Sequence, residues 1–277
     1  MAKVADIVDT ALKMVDAANR KGITLRVIGA IAVRMHLDEY HGLWESLGRE
    51  VTDIDFAAYD KQRKDIEQLL SWAFGYEIMK PSLTPGLLMG RIIWWDPSET
   101  PVMMPDGKRP LNGDIFLDKL EMNHTIEWKG RLHLDTPTVP LAETVLQKTQ
   151  IVGGEKRLGM GEKDAKDLTC IFLEHELGDH DDETINIDVI TEPLSKDWGF
   201  YYTVTMNLKK LKDEWIAKFK LPKGDQNTVE KKVTEILDAV EKKKKSFGWR
   251  MRSRLGTKKA WYNPVEEVER MEEKVRF

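Results

Sequence analysis

The chain has 277 residues, of which 41% are apolar and 32% charged, and its net charge is −4. This composition is typical of a globular protein that buries a core, and it excludes a long disordered chain. The single cysteine, Cys170, excludes an internal disulfide and a cysteine-rich zinc site. The amino-terminal pattern lacks the order of a signal peptide, and no apolar run is long enough to span a bilayer. We therefore expect a cytoplasmic protein without a membrane partner.

Helix and strand patterns alternate in the first half of the chain. A turn at Gly29 joins the first predicted strand to the second predicted helix. In chain order, the predicted elements are a helix over 3–20, a strand over 24–28, a helix over 30–37, a strand over 53–59, a helix over 61–73, and antiparallel strands over 87–95, 114–117, 124–128 and 131–134.

The second half predicts almost only helices, which begin after Pro137 and Pro140. The predicted helices cover 140–151, 162–177, 184–193, 196–220, 226–247 and 264–276. We therefore predict an α+β fold. An α/β domain over residues 1–137, with a mixed sheet flanked by helices, precedes a helical domain over residues 138–277.

The motif that carries chemistry is Asp53-Ile54-Asp55 on a predicted strand. Residues at i and i+2 of a strand point to one face, so the two carboxylates project together while Ile54 and Phe56 face the core. Adjacent carboxylates repel unless a cation neutralises them, and hard oxygen ligands favour magnesium. Asp114 opens a later strand and is the candidate third ligand of a two-metal site, and it is also the candidate base near the attacking hydroxyl. A solvated strand edge is the alternative interpretation.

Gly29 strengthens this interpretation because it lies between a strand and a helix, upstream of the carboxylates. A glycine there lets the backbone approach a phosphate closely, and the helix amino terminus favours negative charge. A glycine at a strand-to-helix turn is also common in α/β folds without any such role.

These residues resemble the polymerase-beta-type nucleotidyltransferase superfamily. Ile28-Gly29-Ala30 matches its glycine turn, Asp53-Ile54-Asp55 its paired carboxylates and Asp114 its third carboxylate. The family has Gly or Ser where this chain has Ala30, which keeps the backbone N–H but removes any hydroxyl contact. A hydrogen bond to a charged group contributes roughly 1.5–3 kcal/mol.

Within that superfamily, the chain is most similar to the AbiEii-type toxin branch, over roughly residues 23–175. Arg49 precedes the carboxylate strand, Lys148 ends the segment 140–148, and Asp164 and Asp167 begin the next predicted helix. Two groups of candidates follow from the pattern and the resemblance. The catalytic candidates are Asp53, Asp55, Asp114 and Lys148, and the nucleotide-binding candidates are Gly29, Ala30, Arg34, Arg49, Thr52, Asp164 and Asp167.

Several of these candidates have structural alternatives. Lys148 contacts nucleotide phosphates or is a solvated helix lysine. Asp164 and Asp167 belong to the site or are helix amino-terminal charges. The two arginines, Arg34 and Arg49, bind phosphate or pair with acidic neighbours.

Other residue types give weaker signals. The histidines show no metal-ligand spacing, and we interpret the acidic stretch around His175 and His180 as a solvated loop. Cys170 lies in an apolar helix and is interpreted as inert core. The chain has no P-loop and no Rossmann fingerprint.

The segment from Lys242 to Val265 contains nine Lys and Arg and no acidic residue, interleaved with aromatic side chains. Basic groups neutralise phosphates and aromatic rings stack on bases, so this composition suits RNA. The alternative is a helix end and loop that cover the domain, with Trp249 and Trp261 packed inside. The RNA-binding candidates are Arg250, Arg252, Arg254, Lys258 and Lys259.

The sequence therefore predicts a magnesium-dependent nucleotidyltransferase with an NTP substrate and two Mg²⁺ ions. The toxin-branch resemblance implies an RNA or tRNA 3′ end as acceptor and a separate antitoxin protein. Two alternatives stay open, namely transfer to a small molecule, as in antibiotic nucleotidyltransferases, and a degenerate module that binds nucleotide or a partner without turnover.

Overall fold

The computed structural model describes residues 4–51, 53–79, 90–97, 102–104, 107–109, 112–153 and 158–265. The fold is mixed α and β, with a mixed sheet flanked by helices, as predicted. Across these described ranges, no helix combines the length and the apolar character that crossing a membrane requires.

Eleven α-helices and eleven strands are formed by the described residues. The helices are α1 Val4–Arg20, α2 Gly29–Met35, α3 His41–Ser46, α4 Arg63–Gln68, α5 Leu141–Thr149, α6 Glu162–Glu174, α7 Ile187–Lys196, α8 Trp198–Lys210, α9 Ile216–Lys218, α10 Lys223–Lys242 and α11 Phe247–Ser253. The strands are β1 Leu25–Ile28, β2 Asp55–Ala58, β3 Glu77–Ile78, β4 Arg91–Trp95, β5 Val102–Met104, β6 Gly107–Arg109, β7 Asn112–Leu117, β8 Lys119–Glu121, β9 Thr125–Glu127, β10 Leu177–Gly178 and β11 Ile185–Asn186.

The main sheet has five strands in the order β1-β2-β7-β4-β3. Strand β1 runs antiparallel to β2, with Ile28 opposite Asp55, whereas β2 and β7 are parallel, with Phe56 opposite Ile115. The carboxyl end of β1 and the amino ends of β2 and β7 therefore lie at the same end of the sheet. Pairing thus brings the Gly29 turn, the paired carboxylates and Asp114 into one neighbourhood.

The burial pattern explains why these segments form strands. All four residues of β1 are buried, and β7 alternates between partly exposed and buried positions, so one face of β7 packs into the core. Ile54, Phe56 and Ile115 are fully buried, as expected for the core-facing side chains of this region.

Helix α5 is buried along its whole length and contacts α2, α6, α7 and α8. A single hydrophobic cluster contains residues from both predicted domains, from Ile7 in α1 to Val240 in α10. The predicted boundary at residue 137 does not divide this cluster.

The strand predicted over 53–59 covers only Asp55–Ala58, so Asp53 lies outside it. Three other predicted elements also differ. Residues 131–134 form turns and not a strand, with Leu132 buried and the Arg131 side chain bound by Glu143 and Asp181. The helix predicted from residue 184 begins at Ile187, since Ile185–Asn186 pairs as a short parallel strand with Leu177–Gly178. The helix predicted over 264–276 lies almost wholly outside the described residues, and residues 264–265 are not helical.

Candidate functional site

Asp53, Asp55 and Asp114 lie at the end of the sheet where β1, β2 and β7 meet. Asp55 opens β2, and the backbone N–H of Asp114 on the neighbouring β7 donates to Asp55 Oδ1 at 3.0 Å. Asp53 lies two residues before the start of β2 and is exposed. The structure therefore brings together the three carboxylates that the sequence pattern selected.

A glycine allows the strands to approach this closely. A Cβ atom at Gly113 would lie 1.8 Å from the Ile54 carbonyl oxygen, far inside any allowed contact. The same approach lets the Ile54 N–H donate to the Asn112 carbonyl at 3.0 Å. Gly113 therefore sets the separation between Asp55 and Asp114.

The environment raises the pKa values of two of these carboxyls. Burial is the main cause for Asp55, whose pKa lies well above its ordinary value, and the charges of Asp53 and Asp114 raise it further. Burial also raises the pKa of Asp114, to about 6, while the Arg91 guanidinium 3.5 Å from Oδ2 opposes the shift and Asp53 adds to it. Ionising all of these carboxyls together is energetically unfavourable unless a positive charge lies close by.

The donor atoms fit a hard divalent cation. Asp114 Oδ1 is buried and has no hydrogen-bond partner among the described residues. A buried carboxylate oxygen is costly unless a donor or a cation meets it. Ligand sets made of carboxylate oxygens favour Mg²⁺ or Mn²⁺ over softer ions. The residues present therefore fit the magnesium ions that the family resemblance implies.

Gly29 occupies a backbone conformation that selects glycine. Its φ is +72°, and a Cβ atom there would lie 3.7 Å from Asp55 Oδ2. Its N–H donates to Gln147 Oε1 on α5 at 3.3 Å. The positive φ by itself explains why glycine occupies this position. The turn also lies against both the Asp55 carboxylate and α5. Ala30 follows it, partly buried, in the first turn of the seven-residue α2.

Lys148 is a buried ion-paired lysine and not a solvated one. Its ammonium lies 2.7 Å from Asp167 Oδ2 and 3.7 Å from Asp164 Oδ1, and all three residues are buried. The pKa of Asp55 is raised overall, and the charge of Lys148 opposes that rise. Lys148 is therefore within electrostatic reach of the carboxylates. The loose sequence match of Lys148, Asp164 and Asp167 therefore corresponds to one cluster beside the candidate metal site.

Asp167 is the centre of that cluster. Arg49 Nε donates to Asp167 Oδ1 at 3.0 Å, and Trp44 Nε1 donates to the same oxygen at 2.7 Å. Burial alone would raise the pKa of Asp167, but Lys148 and Arg49 outweigh it and lower that pKa. Burial also raises the pKa of Asp164. The charge of Lys148 opposes this rise but does not overcome it, so the pKa of Asp164 stays raised. Asp167 is thus ionised and fixes both cations.

The remaining nucleotide-binding candidates are less well placed. Arg34 lies on α2 with Nε 3.7 Å from Glu45, and its Nη1 donates to the Leu37 carbonyl, so it pairs with an acidic neighbour. Thr52 lies outside the described residues.

The basic segment divides into structural and exposed residues. Arg252 donates to the carbonyls of Gly256, Lys259 and Ala260 and lies 4.8 Å from the centre of the Trp198 ring. Trp249 and Trp261 pack edge-on against Tyr201 and Tyr202. Both features match the alternative in which this segment covers the domain. The other four basic candidates are exposed, namely Arg250, Arg254, Lys258 and Lys259.

A cavity of about 470 Å³ opens elsewhere, between α5, α7 and β9. Its lining is mainly apolar, and its charged side chains are mostly acidic, among them Glu127, Glu143, Asp188 and Glu192. None of the three candidate metal ligands and neither Lys148 nor Arg49 lines it. This cavity is therefore separate from the carboxylate site.

Sequence reasoning missed several residues of the site. Arg91 pairs with Asp114, Gln147 holds the Gly29 turn and Trp44 holds Asp167. Gln147 directly precedes the candidate Lys148, and that position could have drawn attention to it. Arg91 and Trp44 belong to no recognisable motif. The solvated-loop interpretation is wrong for His175, which is buried against His36, and it holds for the exposed His180.

Cys170 is buried, and burial raises the pKa of its thiol to about 12, which agrees with an inert core residue.

Comparison of this chain with protein-family models, with curated proteins and with solved structures found no match. We therefore base the function on the chemistry of the site.

Proposed function

We propose that this protein is a magnesium-dependent nucleotidyltransferase, which moves a nucleotidyl group from an NTP to a hydroxyl acceptor and releases pyrophosphate. The observation that carries the proposal is the grouping of Asp53, Asp55 and Asp114 at the end of the sheet beside the Gly29 turn. Carboxylates grouped in this way bind magnesium together with substrate phosphates in many nucleotide-handling enzymes.

The proposed reaction is an in-line displacement at the α-phosphorus. The acceptor hydroxyl oxygen forms a bond to that phosphorus as the bond to pyrophosphate breaks, and pyrophosphate leaves with the electron pair. Two Mg²⁺ ions held by the three carboxylates would neutralise charge on the triphosphate and on both the attacking and leaving oxygens. Asp114 is best placed to accept the hydroxyl proton, because its buried Oδ1 has no partner within the described part of the chain.

Lys148 and Arg49 supply fixed positive charge beside the carboxylates. Asp167 holds both cations, so their positions are set before a substrate arrives. A lysine held in this way binds phosphate oxygens as a point charge. Ala30 offers only its backbone at the position where the superfamily places Gly or Ser.

We propose an RNA 3′ end, such as that of a tRNA, as the acceptor, and a separate antitoxin protein as the partner. Both follow from the resemblance to the AbiEii-type toxin branch. The independent support for RNA is the exposed cluster of Arg250, Arg254, Lys258 and Lys259.

Labelled nucleotides test the reaction. The protein is incubated with Mg²⁺, total RNA and each NTP, labelled either on the α- or on the γ-phosphate. Nucleotidyl transfer puts only the α-label on RNA, whereas transfer of the γ-label would indicate a kinase. A parallel assay with cationic small molecules tests the small-molecule alternative. NTP binding without any labelled acceptor would favour the degenerate module.

Substitution of the carboxylates tests the site. We expect Asp53→Asn and Asp55→Asn each to abolish transfer, with circular dichroism unchanged, because each removes a ligand charge. Asp16→Asn, at an exposed position of α1, is the matched control and retains full activity. Activity in both site variants would rule out the proposed metal centre.

A charge-matched pair of variants tests the RNA surface. Replacing Arg250, Arg254, Lys258 and Lys259 by Gln should weaken RNA binding and reduce the slope of log K against log salt, by about 0.7 for each phosphate that the variant no longer neutralises. Arg252 is left intact because it holds the segment together. The control replaces four exposed lysines elsewhere, Lys13, Lys21, Lys64 and Lys231. Equal effects in the two variants would contradict a localised RNA surface.

A further inference from the structure

Outside the carboxylate site, His36 lies beside His175 and Glu183, which come from a distant part of the chain. His36 follows α2 and His175 follows α6, and both rings are buried and pack edge-on at 5.8 Å between centroids. The Glu183 carboxylate reaches both rings from the loop before β11, with Oε2 3.7 Å from His36 Nδ1 and 3.5 Å from His175 Nδ1. One potential ligand atom from each residue lies within 4.8 Å of the other two.

Hydrogen bonds fix which nitrogen of each ring carries the proton. His175 Nε2 lies 2.7 Å from the His36 carbonyl oxygen and therefore donates to it. His36 Nε2 lies 3.2 Å from the Val139 carbonyl oxygen and 2.9 Å from Thr138 Oγ1. The Thr138 hydroxyl donates to Asp135, so its oxygen accepts from His36. In the neutral rings both protons thus lie on Nε2, which leaves the two Nδ1 lone pairs facing Glu183.

Two lone pairs and a carboxylate oxygen repel one another unless positive charge lies between them. His175 Nδ1 also faces the Glu183 carbonyl oxygen at 3.2 Å, which adds a further acceptor. A single divalent ion between the three ligand atoms supplies that positive charge.

The two histidine–glutamate separations are close to those around a tetrahedral transition-metal ion. Metal–ligand bonds of about 2.0–2.1 Å place neighbouring ligand atoms about 3.3 Å apart, a few tenths of an ångström below the two Nδ1–Oε2 distances. Carbonyl groups that accept from the non-ligating Nε2–H are the usual support of a metal-binding histidine. Glu183 adopts a left-handed backbone conformation, with φ +45°, while its carboxylate and carbonyl oxygens both face the rings.

We propose that His36, His175 and Glu183 form a second metal site, which takes a Zn²⁺-class ion and not magnesium. Imidazole nitrogens favour zinc and its neighbours in the transition series, whereas the carboxylate site offers only oxygen. Three protein ligands leave a fourth position, and the 64% exposure of the Glu183 side chain opens it to water. The ion ties the end of α2 to the end of α6.

Zinc binding to the whole protein tests this site. Chelator-treated protein is titrated with Zn²⁺ by calorimetry, and the stoichiometry is measured by elemental analysis. We expect one tight site in the wild type and in Asp55→Asn, which separates it from the proposed magnesium centre. Glu183→Gln should weaken binding by at least ~10-fold, because it removes the charged ligand. Since Glu183 is largely exposed, this variant should fold.

Two further measurements complete the test. His133→Gln changes an exposed histidine outside the cluster and should bind zinc like the wild type. Cobalt substituted for zinc should give the visible absorption of a tetrahedral site in the wild type and lose it in Glu183→Gln. Equal zinc affinity in Glu183→Gln and the wild type would overturn the proposal. So would the absence of any zinc binding to the wild type.

Discussion

Asp167 is fully buried and receives hydrogen bonds from Arg49 and Trp44 while pairing with Lys148. We expect Asp167→Asn to lower the free energy of unfolding by about 3–5 kcal/mol, because Arg49 loses its buried counter-ion and Lys148 keeps only the more distant Asp164. Asp164→Asn is the matched comparison and should cost less, since Lys148 lies 1 Å farther from Asp164. Urea unfolding of both variants measures the difference. Equal destabilisation of the two variants would show that Asp167 is not the dominant partner.

The carboxylate site predicts how the metal-free protein responds to pH. The folded pKa of Asp114 is about 6, against an ordinary value of 3.8, and the pKa of Asp55 is also raised. Between these values the folded state holds a proton that the unfolded state has released, so stability falls as pH rises. His124, whose burial lowers its pKa from 6.5 to about 4, contributes in the opposite direction over the same range. We therefore expect the slope of melting temperature against pH in EDTA, between pH 4 and 6, to be more negative in the wild type than in a variant without the Asp55 charge.

Two comparisons check the origin of that pH dependence. Asp55→Asn should flatten it, because one repelling charge is removed, and should raise the stability of the metal-free protein at pH 7 by roughly 1–3 kcal/mol. Added Mg²⁺ should reduce the fall in the wild type and have little effect in the variant. Equal slopes in the wild type and Asp55→Asn would contradict the raised carboxyl pKa values.

At the scale of elements, local pattern predicted that β1, the Gly29 turn and β2 exist, and the positive φ of Gly29 agrees with the turn. The spacing of Asp53 and Asp55 predicts a shared face in a strand, but Asp53 lies two residues before β2, so only Asp55 belongs to it. The burial of Lys148 could not be predicted from the sequence, because α5 is covered on every side by helices from distant parts of the chain. The pairing of His36 with His175 depends on the ends of two helices that only the fold brings together.

Strand β7 offers a direct test of how an element positions the site. Gly113→Ala places a methyl group against the Ile54 carbonyl, so β7 must move away from residues 53–55. We expect a loss of stability of about 1–3 kcal/mol or more and a loss of transferase activity. Gly42→Ala is the control, because a Cβ there meets nothing within 4 Å and its helix gains from alanine. Full activity in Gly113→Ala would show that this close approach is not required.

At the scale of the whole molecule, hydrophobic burial crosses the boundary that the sequence suggests at residue 137. The change from strand patterns to helix patterns there is real, since described residues after α5 form only the two short strands β10 and β11. Helix α5 nevertheless packs both against β9 and α2 from the first half of the chain and against α7 and α8 from the second. A change in secondary structure therefore marks a change in local pattern but not a separate core.

This continuity predicts that the chain unfolds as one cooperative unit. The hydrophobic cluster that includes Ile7, Val145 and Val240 must be opened to expose either half, so calorimetric and van 't Hoff enthalpies should agree. Val145→Ala in α5 should reduce stability by about 1–3 kcal/mol. Hydrogen exchange in peptides from β2 and from α8 should accelerate to the same extent in that variant, because both report the same global opening. Faster exchange confined to α8 would instead mean that the helical half opens on its own.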